Sequence, residues 1–131
     1  MAVAQKQAEL TVLIKAKDLC SYIMTITRKS PKEFRFSFVS RLQNLSLSVV
    51  ENIIRANELY VTKSEPSLYP VRMRYQRDAI TDVKILGYFA LLSMEQKCIL
   101  FKQYEQISEK YTDCLNLLKA WMISDKKRMN Y

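Results

Sequence analysis

Apolar positions along the chain recur in steps of three and four, the period of one helix face, over four long segments. In the first, roughly residues 3–28, Val12, Ala16, Leu19, Ile23 and Ile26 form one stripe, and Leu10, Leu13, Cys20 and Met24 form a second beside it. So broad a surface predicts contact with more than one neighbouring helix or with another subunit. The second segment, roughly 32–62, carries Phe38, Leu42, Leu45, Val49, Ile53, Ala56 and Tyr60. The third, roughly 68–92, carries Val71, Tyr75, Ala79, Val83, Leu86 and Ala90. The fourth, roughly 97–124, carries Leu100, Tyr104, Ile107, Tyr111, Leu115, Leu118 and Trp121 or Met122. Val71 to Tyr75 alternates briefly, but nothing alternates long enough to make a strand.

The breaks between segments have their own chemistry. Ser30-Pro31-Lys32-Glu33 has the form of a capping box with proline at the first helical position, so it predicts the start of the second helix. Thr62 to Ser67 loses periodicity and gathers turn formers, which makes it the one substantial loop. Ser67 is placed to cap the third helix, and Pro70 falls in its first turn. Ser93 with Gln96 is a weaker box for the fourth. Gly87 lies inside the third helix, where it costs about 1 kcal/mol relative to alanine, so a close helix–helix approach is expected there. Four helices of similar length with two short connections and one longer loop predict an all-α, antiparallel up-down-up-down four-helix bundle in a single domain, with a basic tail over 125–131.

Composition narrows the chemistry. There is no histidine and one glycine in 131 residues. The imidazole base, the Cys/His zinc site, the phosphate-binding loop and the dinucleotide fingerprint are therefore not available. Glu105 with Glu109, and Asp78 with Asp82, sit one turn apart and read as solvated faces. A non-catalytic protein without cofactor or metal is expected. Cys20, Cys98 and Cys114 read as reduced thiols of a cytoplasmic protein, two of them core residues. The N-terminus has neither signal-peptide nor transit-peptide character, and no apolar run approaches a membrane span.

The 21 Lys+Arg against 13 Asp+Glu give a formal charge of +8, distributed over all four segments. A broadly positive surface favours polyanions, so RNA or DNA is the default partner, held through phosphate contacts. On the third helix Arg74, Arg77 and Lys84 share one face, with Arg72 pointing elsewhere along the first turn, and guanidinium groups can fork onto phosphate oxygens. Asp78 and Asp82 lie close enough in sequence to neutralise them. On the second helix Arg41 and Arg55 share a stripe with Ser48 and Asn52, which a solvated face explains equally well. Among the aromatic residues, Tyr22, Tyr69, Tyr88 and Tyr131 are the expected exposed rings.

The layout resembles a known family. Thr27-Arg28-Lys29-Ser30-Pro31-Lys32-Glu33-Phe34-Arg35-Phe36 resembles the loop after helix one in the small four-helix bundle proteins related to the 23S ribosomal RNA intervening-sequence protein. Asn57, the arginine-bearing opening of the third helix, and Leu117-Leu118-Lys119-Ala120-Trp121-Met122 are most similar to one branch, the accessory variability determinants of diversity-generating retroelements. The resemblance implies a homopentameric barrel of basic bundles, carrying five times the charge of one chain. It further implies binding to the element's reverse transcriptase and to nucleic acid, in support of mutagenic cDNA synthesis and retrohoming, with all catalysis left to the polymerase. The alternative is a generic bundle of the intervening-sequence type, acting as a structural or nucleic-acid-binding module.

Overall fold

The computed structural model describes residues 2–130, with side chains from Lys6 onward. Its elements are α1 (Ala2–Thr27), a 3₁₀ turn (Lys32–Phe34), a π-helical turn (Arg35–Val39), α2 (Ser40–Glu58), a 3₁₀ turn (Pro66–Leu68), α3 (Tyr69–Glu95) and α4 (Phe101–Arg128). Each helix packs on its chain neighbours, and α4 closes the ring against α1. This is the antiparallel four-helix bundle that the periodicity predicts. Among the described residues no helix is long and apolar enough to cross a membrane.

The core follows the apolar stripes along most of their length. Val12, Ala16, Leu19, Ile23 and Ile26 of α1 are buried, as are Leu42, Leu45, Val49, Ile53 and Ala56 of α2 and Ala79, Val83, Leu86 and Ala90 of α3. Of the second α1 stripe Leu13, Cys20 and Met24 are half-buried and Leu10 is exposed; the Ser46 hydroxyl of α2 lies 3.4 Å from the Cys20 sulfur. Cys98 and Cys114 are buried and all three cysteines are free. Burial pushes the Cys114 thiol up to about 12. At Gly87 a Cβ would stand 3.0 Å from the end of the Tyr111 ring, which is the close approach of α4 that the lone glycine implied.

Several boundaries differ from the sequence reading, each for a local reason. Pro31 takes an extended conformation and stands immediately before the first helical residue, so Ser30 sits one position too early to cap, and no side chain caps this turn. The Ser30 side chain lies near the Cys98 thiol instead. α2 ends at Glu58 because Leu59 turns extended, which leaves Tyr60 outside the stripe and 71% exposed. Ser67 lies within a 3₁₀ turn that runs into α3, so it caps nothing there, while Pro70 does fall in the first turn. Ser93 is buried within α3, its hydroxyl donating to the Phe89 carbonyl at 2.6 Å. α4 is opened instead by Gln103, whose Oε1 accepts the Leu100 N–H at 2.8 Å.

The largest difference lies at the end of the chain, where the expected basic tail is the last turn of α4. Asp125 is buried within it, and Arg128 donates to the Val61 carbonyl at 2.6 Å, pinning the long loop. Tyr131 lies outside the described residues.

α3 closes with both hydrogen bonds of a Schellman motif, Cys98 N–H to the Ser93 carbonyl (2.8 Å) and Lys97 N–H to the Met94 carbonyl (3.0 Å). Lys97 therefore adopts φ 66°, a left-handed conformation in which glycine is the usual residue. Lys97→Gly is expected to stabilise the protein by about 0.5–1 kcal/mol, since the steric cost of the left-handed conformation exceeds glycine's extra chain entropy. Urea unfolding checks this; a lower midpoint would contradict it.

Candidate nucleic-acid interface

The structure separates the arginines that the sequence grouped together. Arg72 is no surface residue: it is 1% exposed and occupies a core position of α3. Its Nε donates to Asp125 Oδ2 at 2.6 Å, Nη1 to the carbonyls of Ala56 and Leu59 at 3.1 Å each, and Nη2 to Glu9 Oε1 at 2.7 Å and Asp125 Oδ1 at 3.4 Å. The guanidinium also lies 5.2 Å from the centre of the Trp121 ring. All five N–H groups are thereby directed at partners on α1, on α4 and at the C-terminus of α2. Burial pushes the Arg72 pKa down, but bonding to Asp125 and Glu9 outweighs it and the net shift is upward. Arg72 holds four helices together and cannot reach a phosphate.

Arg74, Arg77 and Lys84 are exposed. Arg77 lines an apolar groove on the α3–α4 seam with Met73, Ile80, Lys119, Met122 and Lys126, and Lys84 lines a second recess on that seam beside Tyr88 and Tyr111. Among the described residues neither Asp78 nor Asp82 forms an ion pair with them. Asp82 instead accepts bonds from Ser48 (2.6 Å) and Asn52 (3.1 Å), so the hydrogen-bonding stripe of α2 serves to join α2 to α3. Arg55 is paired with Glu51 at 2.8 Å, and the Arg41 guanidinium lies 5.2 Å from the Phe89 ring centre. Both are exposed, but each already has a local partner.

A different basic surface forms where α1 turns into α2. A recess of about 490 Å³ is lined by Arg28, Lys32 and Arg35 together with Ser30, Phe36 and Ser40, among others. The segment 28–41 holds five cations (Arg28, Lys29, Lys32, Arg35 and Arg41) against the single carboxylate of Glu33, a net +4 that is half of the chain's +8. Among the described residues Arg28, Lys29, Lys32 and Arg35 make no ion pair within 4 Å. The corner is built firmly. Phe34 and Phe38, four residues apart, both turn inward with ring centres 6.0 Å apart and pack against the core. Gln43 Nε2 donates to Thr27 Oγ1 at 2.9 Å, and that hydroxyl donates to the Ile23 carbonyl at 2.6 Å.

Phe36, midway between the two inward rings, points out and is 91% exposed. The tyrosines expected at the surface behave differently from one another. Tyr88 is exposed, Tyr22 is half-buried with Lys110 Nζ 5.4 Å from its ring centre, and Tyr69 is buried. A tally of charge by segment divides at Ser30 and so splits this cluster in two. A sliding window over 28–41 would have found it.

No family model matches the chain, and no curated protein matches it. A search of solved structures finds the fold in a protein of unknown function from the S23 ribosomal protein family of Bacteroides thetaiotaomicron VPI-5482. The likeness has a TM-score of 0.73 at 17% identity and covers 88% of this chain and 97% of that one. At that identity the likeness speaks for the fold. It agrees with the intervening-sequence bundle that the sequence resembles.

Proposed function

We propose that the protein is a non-catalytic accessory of a diversity-generating retroelement, a homo-oligomeric basic bundle that binds the element's reverse transcriptase and its template RNA or cDNA and supports mutagenic cDNA synthesis and retrohoming. The observation that carries the nucleic-acid part of this reading is the uncompensated cluster of Arg28, Lys29, Lys32 and Arg35 at the α1–α2 corner. Four cations on one short stretch of rigid backbone supply phosphate contacts without a reader of base sequence. The same stretch, Thr27 to Phe36, carries the resemblance to the intervening-sequence bundle family, whereas the resemblance to its retroelement branch rests on Asn57, the opening of α3 and Leu117 to Met122. A protein of this kind acts by holding template and polymerase together, which raises their effective concentration without a new active site.

Oligomerisation is supported by apolar side chains left outside the bundle on two adjacent helices, Leu10 and Ile14 of α1 and Leu47 and Ile54 of α2, each 44–56% exposed. The pentamer rests on the resemblance alone. The second reading is a generic bundle of the intervening-sequence type, acting as a structural or nucleic-acid-binding module without a polymerase partner; the S23-family protein shares the fold and is of unknown function.

The experiment is a search for a reverse transcriptase gene beside this one, co-purification of its product with the protein, and cDNA synthesis from the cognate template RNA with and without the protein; absence of such a gene would count against the retroelement reading. A complex with raised cDNA yield, and a light-scattering mass several times that of one chain, are expected. RNA binding with neither complex nor effect on yield would favour the generic bundle, and a monomer that binds no RNA would overturn both readings.

A further inference from the structure

We infer that the α1–α2 corner is a subsite for single-stranded nucleic acid, in which Arg28, Lys32 and Arg35 hold successive phosphates while the Phe36 ring stacks on an unpaired base. The inference rests on the nucleic-acid reading above and adds to it a preference for unpaired strands. Two independent features of one recess support it. The first is its charge: three cations line it, and Glu33 is the only carboxylate in the surrounding turn. The second is Phe36, 91% exposed on the rim of the same recess while its neighbours Phe34 and Phe38 pack inward.

An exposed apolar side chain is ordinary when it stands alone. A phenyl ring beside three unpaired cations is a different matter, because the cations attract a phosphate chain whose bases then lie within reach of the ring. Phenylalanine has no hydrogen-bonding group, so it recognises only the face of a base. Every base has such a face, which makes the contact tolerant of sequence. In a duplex both faces are covered by neighbouring pairs, so only an unpaired base can take the ring.

The backbone of this corner is tied in advance. The inward rings and the Gln43–Thr27 bond hold the π-helical turn Arg35–Val39 on the core, so little ordering is required when a strand binds.

The test uses two variants of the full-length protein, Phe36→Trp and Phe36→Ala, with a 15-nucleotide oligo(U) and a 15-base-pair RNA duplex as probes. The chain's other tryptophan, Trp121, is buried, so a tryptophan at position 36 reports on the corner. Its fluorescence is expected to be quenched by oligo(U) and not by duplex at equal phosphate concentration. Phe36→Ala is expected to weaken oligo(U) binding by about 5- to 150-fold, the range of a single base–aromatic stack, with duplex binding changed less than about twofold. Unquenched fluorescence with unchanged oligo(U) affinity would overturn the stacking subsite and leave the nucleic-acid reading intact. Failure of the wild-type protein to bind either probe would overturn both. If Phe36→Ala changes the subunit number in light scattering but not the oligo(U) affinity, the ring is a protein contact and the inference fails.

Discussion

Arg72→Met is expected to destabilise the protein by about 3–5 kcal/mol, the usual cost of removing one partner from a buried ion pair. The size follows from what is left behind. Asp125, 1% exposed, keeps only the Gln76 amide at 2.8 Å and Arg128 at 3.6 Å, and the carbonyls of Ala56 and Leu59 lose their donor at the end of α2. Glu9 is 18% exposed and can return to water. The double variant Arg72→Met/Asp125→Leu removes the stranded charge as well as its partner, so it is expected to be more stable than Arg72→Met alone. Urea unfolding of both single variants and the double gives the coupling, which should fall within about 0.5–3 kcal/mol for partners in one network. Additive effects would mean that the guanidinium contributes packing rather than charge pairing.

Neutralising the corner with Arg28→Gln, Lys32→Gln and Arg35→Gln is expected to lower the slope of log affinity against log salt by about 2 for a single strand. At 0.1 M salt that corresponds to about 100-fold weaker binding, because each phosphate contact releases about 0.7 of a counterion and so contributes a factor of about 5. All three side chains are exposed, so the fold should be unchanged by circular dichroism. The comparison is Arg74→Gln/Arg77→Gln/Lys84→Gln on α3, together with Lys126→Gln/Lys127→Gln in the last turn of α4. Both sets are expected to lose less, since neither places more than one of its own cations in any one recess, whereas Arg28, Lys32 and Arg35 share one. A larger loss from the α3 set would move the principal contact surface to the α3–α4 seam.

The corner also shows why a surface can escape a reading by helix stripes. Its residues belong to two predicted helices and the break between them, so no single helical face contains Arg28, Lys32 and Arg35 together. Phe36 resembles Phe34 and Phe38 in sequence. Which of the three stays outside depends on the π-helical turn, which accompanies the packing of Phe34, Phe38 and Val39 onto the core.

The sequence by itself determined whatever depends on local periodicity. Four helices, their antiparallel order, the stripes from Val12 to Ile26 and from Leu42 to Ala56, and the close approach at Gly87 were all legible, because burying a regular apolar face is what makes each helix stable. Only the tertiary structure decided what occupies the core at the Arg72 end of the bundle. The buried positions of α3 run through Tyr69, Arg72, Gln76 and Ala79, and those of α4 through Leu118, Trp121 and Asp125. Read locally, the polar residues among them belong to the surface, so the apolar period runs through Val71 and Tyr75 and stops before Asp125. A buried arginine becomes tolerable only when a carboxylate 53 residues away, Glu9 of α1 and the carbonyls ending another helix together meet all of its N–H groups. That meeting is a property of helix register across the bundle, and no single segment encodes it.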